Sequence, residues 1–161
     1  MLLRALVAFL LLPGIVAFAA PLLLALGLGQ VASLSVTALI FIALGLTSLI
    51  WCVCSFYFSG KGTLAPWSPP RNLVVVGLYR FSRNPMYVAV VLLLMGWSLL
   101  FESVALATYG VIVAMGFHLR VIFGEEPWLA RTYGPQWTEY VSQVNRWVGR
   151  HGTLTQRDAN G

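Results

Sequence analysis

The sequence predicts an all-α integral membrane bundle: four transmembrane helices followed by a C-terminal interfacial amphipathic helix. Three observations carry that prediction. Of the 161 residues, 59% are hydrophobic and 9% charged, whereas a soluble domain is about 45–50% apolar and about a quarter charged. No Asp, Glu, Lys or Arg occurs between Arg4 and Lys61, and a water-facing surface cannot be built from such a stretch. The apolar runs alternate with connections, and the basic residues gather on only one set of these connections. A soluble enzyme, a disordered tail and a secreted disulfide scaffold are excluded. The length suits one membrane-embedded domain, residues 1–150, with a flexible tail at 151–161.

A helix needs about 20 apolar residues to span a hydrocarbon core of about 30 Å. The first predicted span is about 5–28. Pro13 and Pro21 should bend it without ending it, because neighbouring groups can satisfy the freed carbonyls. Arg4 and the AFAA at Ala17–Ala20 resemble a secretory signal, but the apolar run continues past that point through PLLLALGLG, so it is read as a retained span. Gly27, Gly29, Gln30 and Ser33 form a turn, and the second span is about 34–58. Its Cys52 and Cys54 are too close in sequence for an ordinary disulfide and read as free thiols. The third and fourth spans are about 86–101 and 104–123, a tight hairpin with Glu102 and Ser103 at the far headgroups.

Orientation follows from charge. Lys61, Arg71, Arg80 and Arg83 precede the third span, Arg131, Arg146, Arg150 and Arg157 follow the fourth, and neither opposite turn has a basic residue. The positive-inside rule then puts both termini in the cytoplasm. The net charge of +5 serves topology and anionic lipid heads rather than nucleic acid. Beyond the fourth span, interfacial helices are expected over about 127–148. Pro127 suits a helix start, and Trp137, Tyr140, Val141, Val144 and Trp147 or Val148 recur at helical spacing.

Two polar clusters on the cytoplasmic side are candidates for chemistry. GLYRFSRNPMY, Gly77 to Tyr87, combines Arg, Tyr and an Asn-Pro pair directly before a span, with Asn84 as a predicted N-cap and Pro85 as a helix start. HLRVIFGEEPWL, His118 to Leu129, carries adjacent carboxylates at Glu125 and Glu126. On a continuing α-helix His118, Ile122 and Glu125 or Glu126 share a stripe, with Arg120 on a different face. A metal pair of His and Glu lacks an evident third ligand, and no metal is expected.

Taken together, RNPMY, then EEP, then YGPQWTEYVSQVNRW resembles the membrane-integral methyltransferases that use S-adenosylmethionine, the superfamily of isoprenylcysteine carboxyl methyltransferases and phospholipid N-methyltransferases. The likeness runs from about Arg71 to Trp147, roughly half the chain. It implies methyl transfer to a lipophilic acceptor, carboxylate or amine, at the cytoplasmic face. It places the cofactor against Arg71, Leu73 and Val74 of a strand-like RNLV, then Tyr79, Asn84, Pro85, Met86, Tyr87, Glu125 and Glu126. It gives His118 and Arg120 the candidate catalytic roles. Arg120 is displaced by one position from the family's substrate-contacting Arg. Ala89 stands where a Gly is common, which is expected to narrow the adjoining cavity.

The residue types suit that implication. A Glu can accept from a ribose diol or pair with an ammonium, and Arg71, Arg80 or Arg83 could hold a carboxylate. Tyr79 or Tyr87 offers a face to adenine or to a cation. A carboxylate acceptor needs no base, whereas an amine must lose a proton, to His118 or a Glu. Membrane steroid and sterol reductases, which use NADPH, carry a similar stretch, SRHPNY. They are one rival reading, and a non-catalytic helix bundle is the other. The expected partners are membrane lipids and a lipid or other lipophilic substrate.

Overall fold

The computed structural model describes residues 10–59 and 73–151, with side chains over 14–55 and 73–151. Helix α1 comprises a wide-wound π-helical stretch, Leu10–Ala19, that runs into α-helix Ala20–Gly27. Then come α2 (Val36–Ser59), α3 (Pro85–Leu100), α4 (Val104–Arg120), α5 (Glu126–Tyr133) and α6 (Pro135–Gln143). No strand ladder forms among the described residues. A single antiparallel bridge, Val144 to Arg150, closes a short turn, and Leu73–Val75 have no regular secondary structure. Two helical stretches, 36–55 and 104–133, are long and apolar enough to cross a membrane, while Gly14–Gly27 and Pro85–Leu100 are apolar but shorter.

The chain stays helical through Pro21. Pro21 has no N–H for the carbonyl of Ala17, and the indole of Trp97 on α3 supplies that donor at 2.9 Å. Tyr109 on α4 does the same for the carbonyl of Val16 at 3.1 Å. These bonds hold α1 against the α3–α4 hairpin.

Helices α2 and α3 pack antiparallel with their backbones in close approach. Gly96 lies against Ile42 and Ala38, and Gly45 lies against Leu93 and Ala89. A Cβ on Gly45 would meet the backbone nitrogen of Leu93 at 2.8 Å, and one on Gly96 would meet that of Ile42 at 2.9 Å. Small residues allow such approach where lipid supplies no hydrophobic drive between helices. Farther along, Gly77 (φ +59°) tucks under Trp51 and Ser55 of α2, where a side chain would be strained and would clash. Ala89 is buried in the core with Leu49 and Leu93 and does not line the cleft between α3 and α4.

One end of the bundle joins the two hairpin turns. Gln30 donates to the Ser103 hydroxyl at 2.7 Å, and the Ser33 N–H donates to the Leu100 carbonyl at 2.6 Å. There Glu102 (φ +48°) takes the left-handed position that ends α3, and Ser103 at once caps α4 by accepting from the Leu106 N–H. The polar clusters lie at the other end.

Pro127 lies in the first turn of α5, as expected of a helix start, and the π-helical Val121–Glu125 joins α4 to α5 without interruption. Two expectations about the C-terminal part are corrected. The last helix stops at Gln143 rather than running to Trp147 or Val148. Val144 is extended (φ −124°, ψ 131°), and residues 144–150 fold into a turn bound to the segment before α3. Nor does α6 present its apolar face to lipid: Trp137, Tyr140 and Val144 are buried against Leu73, Val75, Leu129 and Tyr133.

Candidate active site

The acidic pair sits where α4 passes into α5, and its two members face different partners. Glu125 receives the Tyr87 hydroxyl from α3 and the Arg120 Nε at 2.8 Å. In an α-helix residues five apart diverge, but the π-winding at 121–125 aligns them. Arg120 is thus paired with Glu125 rather than lying on a different face from it.

Glu126 is held by two guanidiniums. Arg146 donates from Nε to Oε1 and from Nη2 to Oε2, both at 2.8 Å, and Arg83 Nη1 lies 3.0 Å from Oε1. The Glu126 and Arg83 side chains are 17% and 10% exposed, while the Arg120–Glu125 pair is 51% and 31% exposed, so the inner pairing is the less screened by solvent. Burial pulls the Arg83 guanidinium below its ordinary pKa; Glu126 opposes the shift and Arg146 adds to it. The hydrogen bond to Glu126 raises Arg146. Arg83 also lies over the Trp137 ring, 5.5 Å from its centroid. Its Nε is buried and finds no partner among the described residues.

The C-terminal turn brings Arg146 into place. The Arg83 N–H donates to the Asn145 carbonyl at 3.0 Å and the Gly149 N–H to the Phe81 carbonyl at 2.9 Å. Asn84 occupies the position before α3, but its side chain does not cap the helix. It donates instead to the Arg146 carbonyl at 3.1 Å, and the Ser82 hydroxyl accepts from the Asn84 N–H. The expected side-chain cap is thus replaced by a tie to the C-terminal turn.

Beside the acidic pair an open-sided cleft of about 450 Å³ runs between α3 and α4. Val88, Val91 and Leu92 form one wall, Val111, Ala114 and Met115 the other. Its polar end is aromatic: Tyr87 stacks on Phe117 at 4.3 Å, and His118 stacks on Trp147 at 5.7 Å. Tyr87 belongs to both regions, with its ring in the cleft and its hydroxyl on Glu125.

Of the candidate site residues, Tyr87 and His118 line the cleft, Glu125 and Arg120 join it through the Tyr87 hydroxyl, and Asn84 and Glu126 both meet Arg146. Pro85 starts α3 and is buried, Met86 packs into the core, and Val74 and Tyr79 are buried with Cys52. Leu73 lies under α6. Burial drives the Tyr79 phenol well above its usual pKa. Arg71 lies outside the described residues. Arg146, Trp147 and Phe117 also belong to the site, although the sequence marks Arg146 only for orientation and Trp147 only for helical spacing. The signal for Arg146 was arithmetic: two adjacent, partly buried carboxylates require cations near both.

The apolar cleft thus lies beside a cluster of paired carboxylates and guanidiniums. A phospholipid methyltransferase family model matches residues 24–136, and the chain belongs to that family of membrane methyltransferases. Searches of the curated proteins and of the solved structures gave no match.

Proposed function

We propose that the chain transfers a methyl group from S-adenosylmethionine to a lipophilic acceptor held in the α3–α4 cleft. The observation that carries this reading is the position of Tyr87, whose ring lines the cleft while its hydroxyl reaches the acidic pair. A reacting group at that residue has an apolar channel on one side and charged donors and acceptors on the other.

The donor set fits the cofactor. Glu125 and Glu126 suit a ribose diol or an ammonium, and the unpartnered Nε of buried Arg83 suits a carboxylate. When bound, S-adenosylmethionine supplies a methyl group on a sulfonium whose leaving group is a neutral thioether. The chain's own part is placement, which can account for about 7–11 kcal/mol of such a barrier. Asn84, Pro85 and Met86 set the start of α3 and thereby the direction of Tyr87. Leu73, Val74 and Tyr79 belong to the layer behind it. His118 and Arg120 flank the acceptor group, and with an amine acceptor His118 or Glu125 takes the proton released.

The same reading has four spans, both termini cytoplasmic, and α5 and α6 at the membrane interface, with residues 1–150 as one unit. Thermal unfolding of detergent-purified protein with S-adenosylhomocysteine or with NADPH tests it. Stabilisation by S-adenosylhomocysteine alone is expected. Stabilisation by NADPH alone would make the chain a reductase, and a shift with neither would leave a non-catalytic bundle.

A further inference from the structure

Arg146 and Trp147 are consecutive, yet they serve the two halves of the site. Arg146 grips Glu126, while Trp147 lies against His118 and lines the polar end of the cleft. The other lining side chains belong to α3 and α4, so Trp147 is the wall supplied from outside that hairpin. The turn that carries it is tied through Asn145 to Arg83, through the Arg146 carbonyl to Asn84, and through Gly149 to Phe81. A large rigid ring on a backbone so held is a fixed wall, not a swinging lid.

We infer that Trp147 is a specificity-determining residue: its indole closes the polar end of the cleft and limits the bulk of the acceptor group beside Tyr87 and Glu125. This rests on the reading of the cleft as the acceptor site. A hydrophobic wall separates ligands differing by one methylene by about 10- to 200-fold. The indole is backed by His118, so added bulk on the acceptor meets a stacked pair rather than a single movable side chain.

The test uses full-length protein in nanodiscs with S-adenosylhomocysteine present. The probes are dodecylamine and N,N-dimethyldodecylamine, which share a tail and a charge and differ by two methyl groups. The parent should bind dodecylamine about tenfold or more tightly than the dimethyl amine. Trp147→Ala should narrow that ratio to about threefold or less by binding the dimethyl amine more tightly, with Trp147→Phe between the two. S-adenosylhomocysteine affinity should stay within about twofold of the parent's, reporting an intact fold and an undisturbed acidic pair. If Trp147→Ala loses that affinity, Trp147→Leu takes its place with the same thresholds. A parent that fails to discriminate, a truncated variant that keeps the full ratio, or a cleft that binds neither amine overturns the assignment. Failure of the parent to bind S-adenosylhomocysteine counts against the methyltransferase reading alone, and the amine titrations still judge the wall without it.

Discussion

Arg146 and Glu126 meet side by side, with Nε and Nη2 of the guanidinium each 2.8 Å from a different carboxylate oxygen. Arg83 shares the Oε1 atom at 3.0 Å. The carboxylate therefore keeps two cations together as well as facing the proposed cofactor.

Glu126→Gln should cost more than its neighbour's replacement. It leaves Arg83 and Arg146 facing each other with no anion between them, and hydrogen bonds to charged groups contribute about 1.5–3 kcal/mol. Denaturation in mild detergent should show a loss of that order, and S-adenosylhomocysteine titration a loss of about ten- to a hundredfold. Glu125→Gln breaks a more exposed pair, so its stability effect should fall within about 0–1 kcal/mol. Equal effects from both would contradict the distinction drawn between them.

Gly45→Ala and Gly96→Ala should each destabilise the bundle by about 1–3 kcal/mol, because the new Cβ meets backbone that cannot swing aside. Gly116→Ala is the internal control. Nothing lies within 4 Å of its Cβ position, and helix propensity favours the change by up to about 1 kcal/mol. Melting temperatures of the three variants should fall, fall and hold or rise.

Tyr140 gives an alkaline signature. Its hydroxyl donates to the Tyr79 carbonyl at 2.6 Å, and burial pushes its phenol above the ordinary value, as it does that of Tyr79. A phenol whose folded pKa is raised contributes stability that is fully present below about pH 10 and is lost as pH rises beyond it. Tyr140→Phe should lose about 0.5–1.5 kcal/mol at neutral pH. It should also decline less steeply than the parent in unfolding measured from pH 8 to 11. A parallel decline would remove Tyr140 from the account.

The proposed orientation predicts the labelling pattern of single cysteines placed at Glu102 and Gln136, both exposed, in a background lacking Cys54. A membrane-impermeant thiol reagent should reach the first from outside sealed cells and the second only after permeabilisation. Labelling of both from the same side would discard the four-span arrangement.

Helix positions were legible in the sequence because apolar runs and their interruptions are local. Val36–Ser59 and Pro85–Leu100 fall within two residues of the ends read from composition. The acidic pair was legible as a site, but its partners were not. Aligning Arg120 with Glu125 needs the wide winding at 121–125, which α-helical periodicity does not report. Arg146 was hidden for a related reason. Trp137, Tyr140, Val144 and Trp147 fit a helical repeat whether or not the helix ends at Gln143. The terminating cue lies in Asn145 and Gly149, the latter at φ +108°. Asn84 matched a cap by residue type, but its side-chain amide donates to a carbonyl in a turn 62 residues away instead of accepting from the helix.

The wide winding at Val121–Glu125 also makes the length of this segment a matter of aim. Removing one residue there, Gly124 for instance, would let four ordinarily wound residues cover about the rotation that five wide-wound ones cover now. Arg120 and Glu125 would become an i, i+4 pair and Glu126 would keep its direction. Tightening all five without a deletion would instead turn everything downstream by roughly a quarter turn, away from Arg83 and Arg146. The surplus residue is taken up by the wide winding, so this stretch should tolerate that deletion better than an insertion.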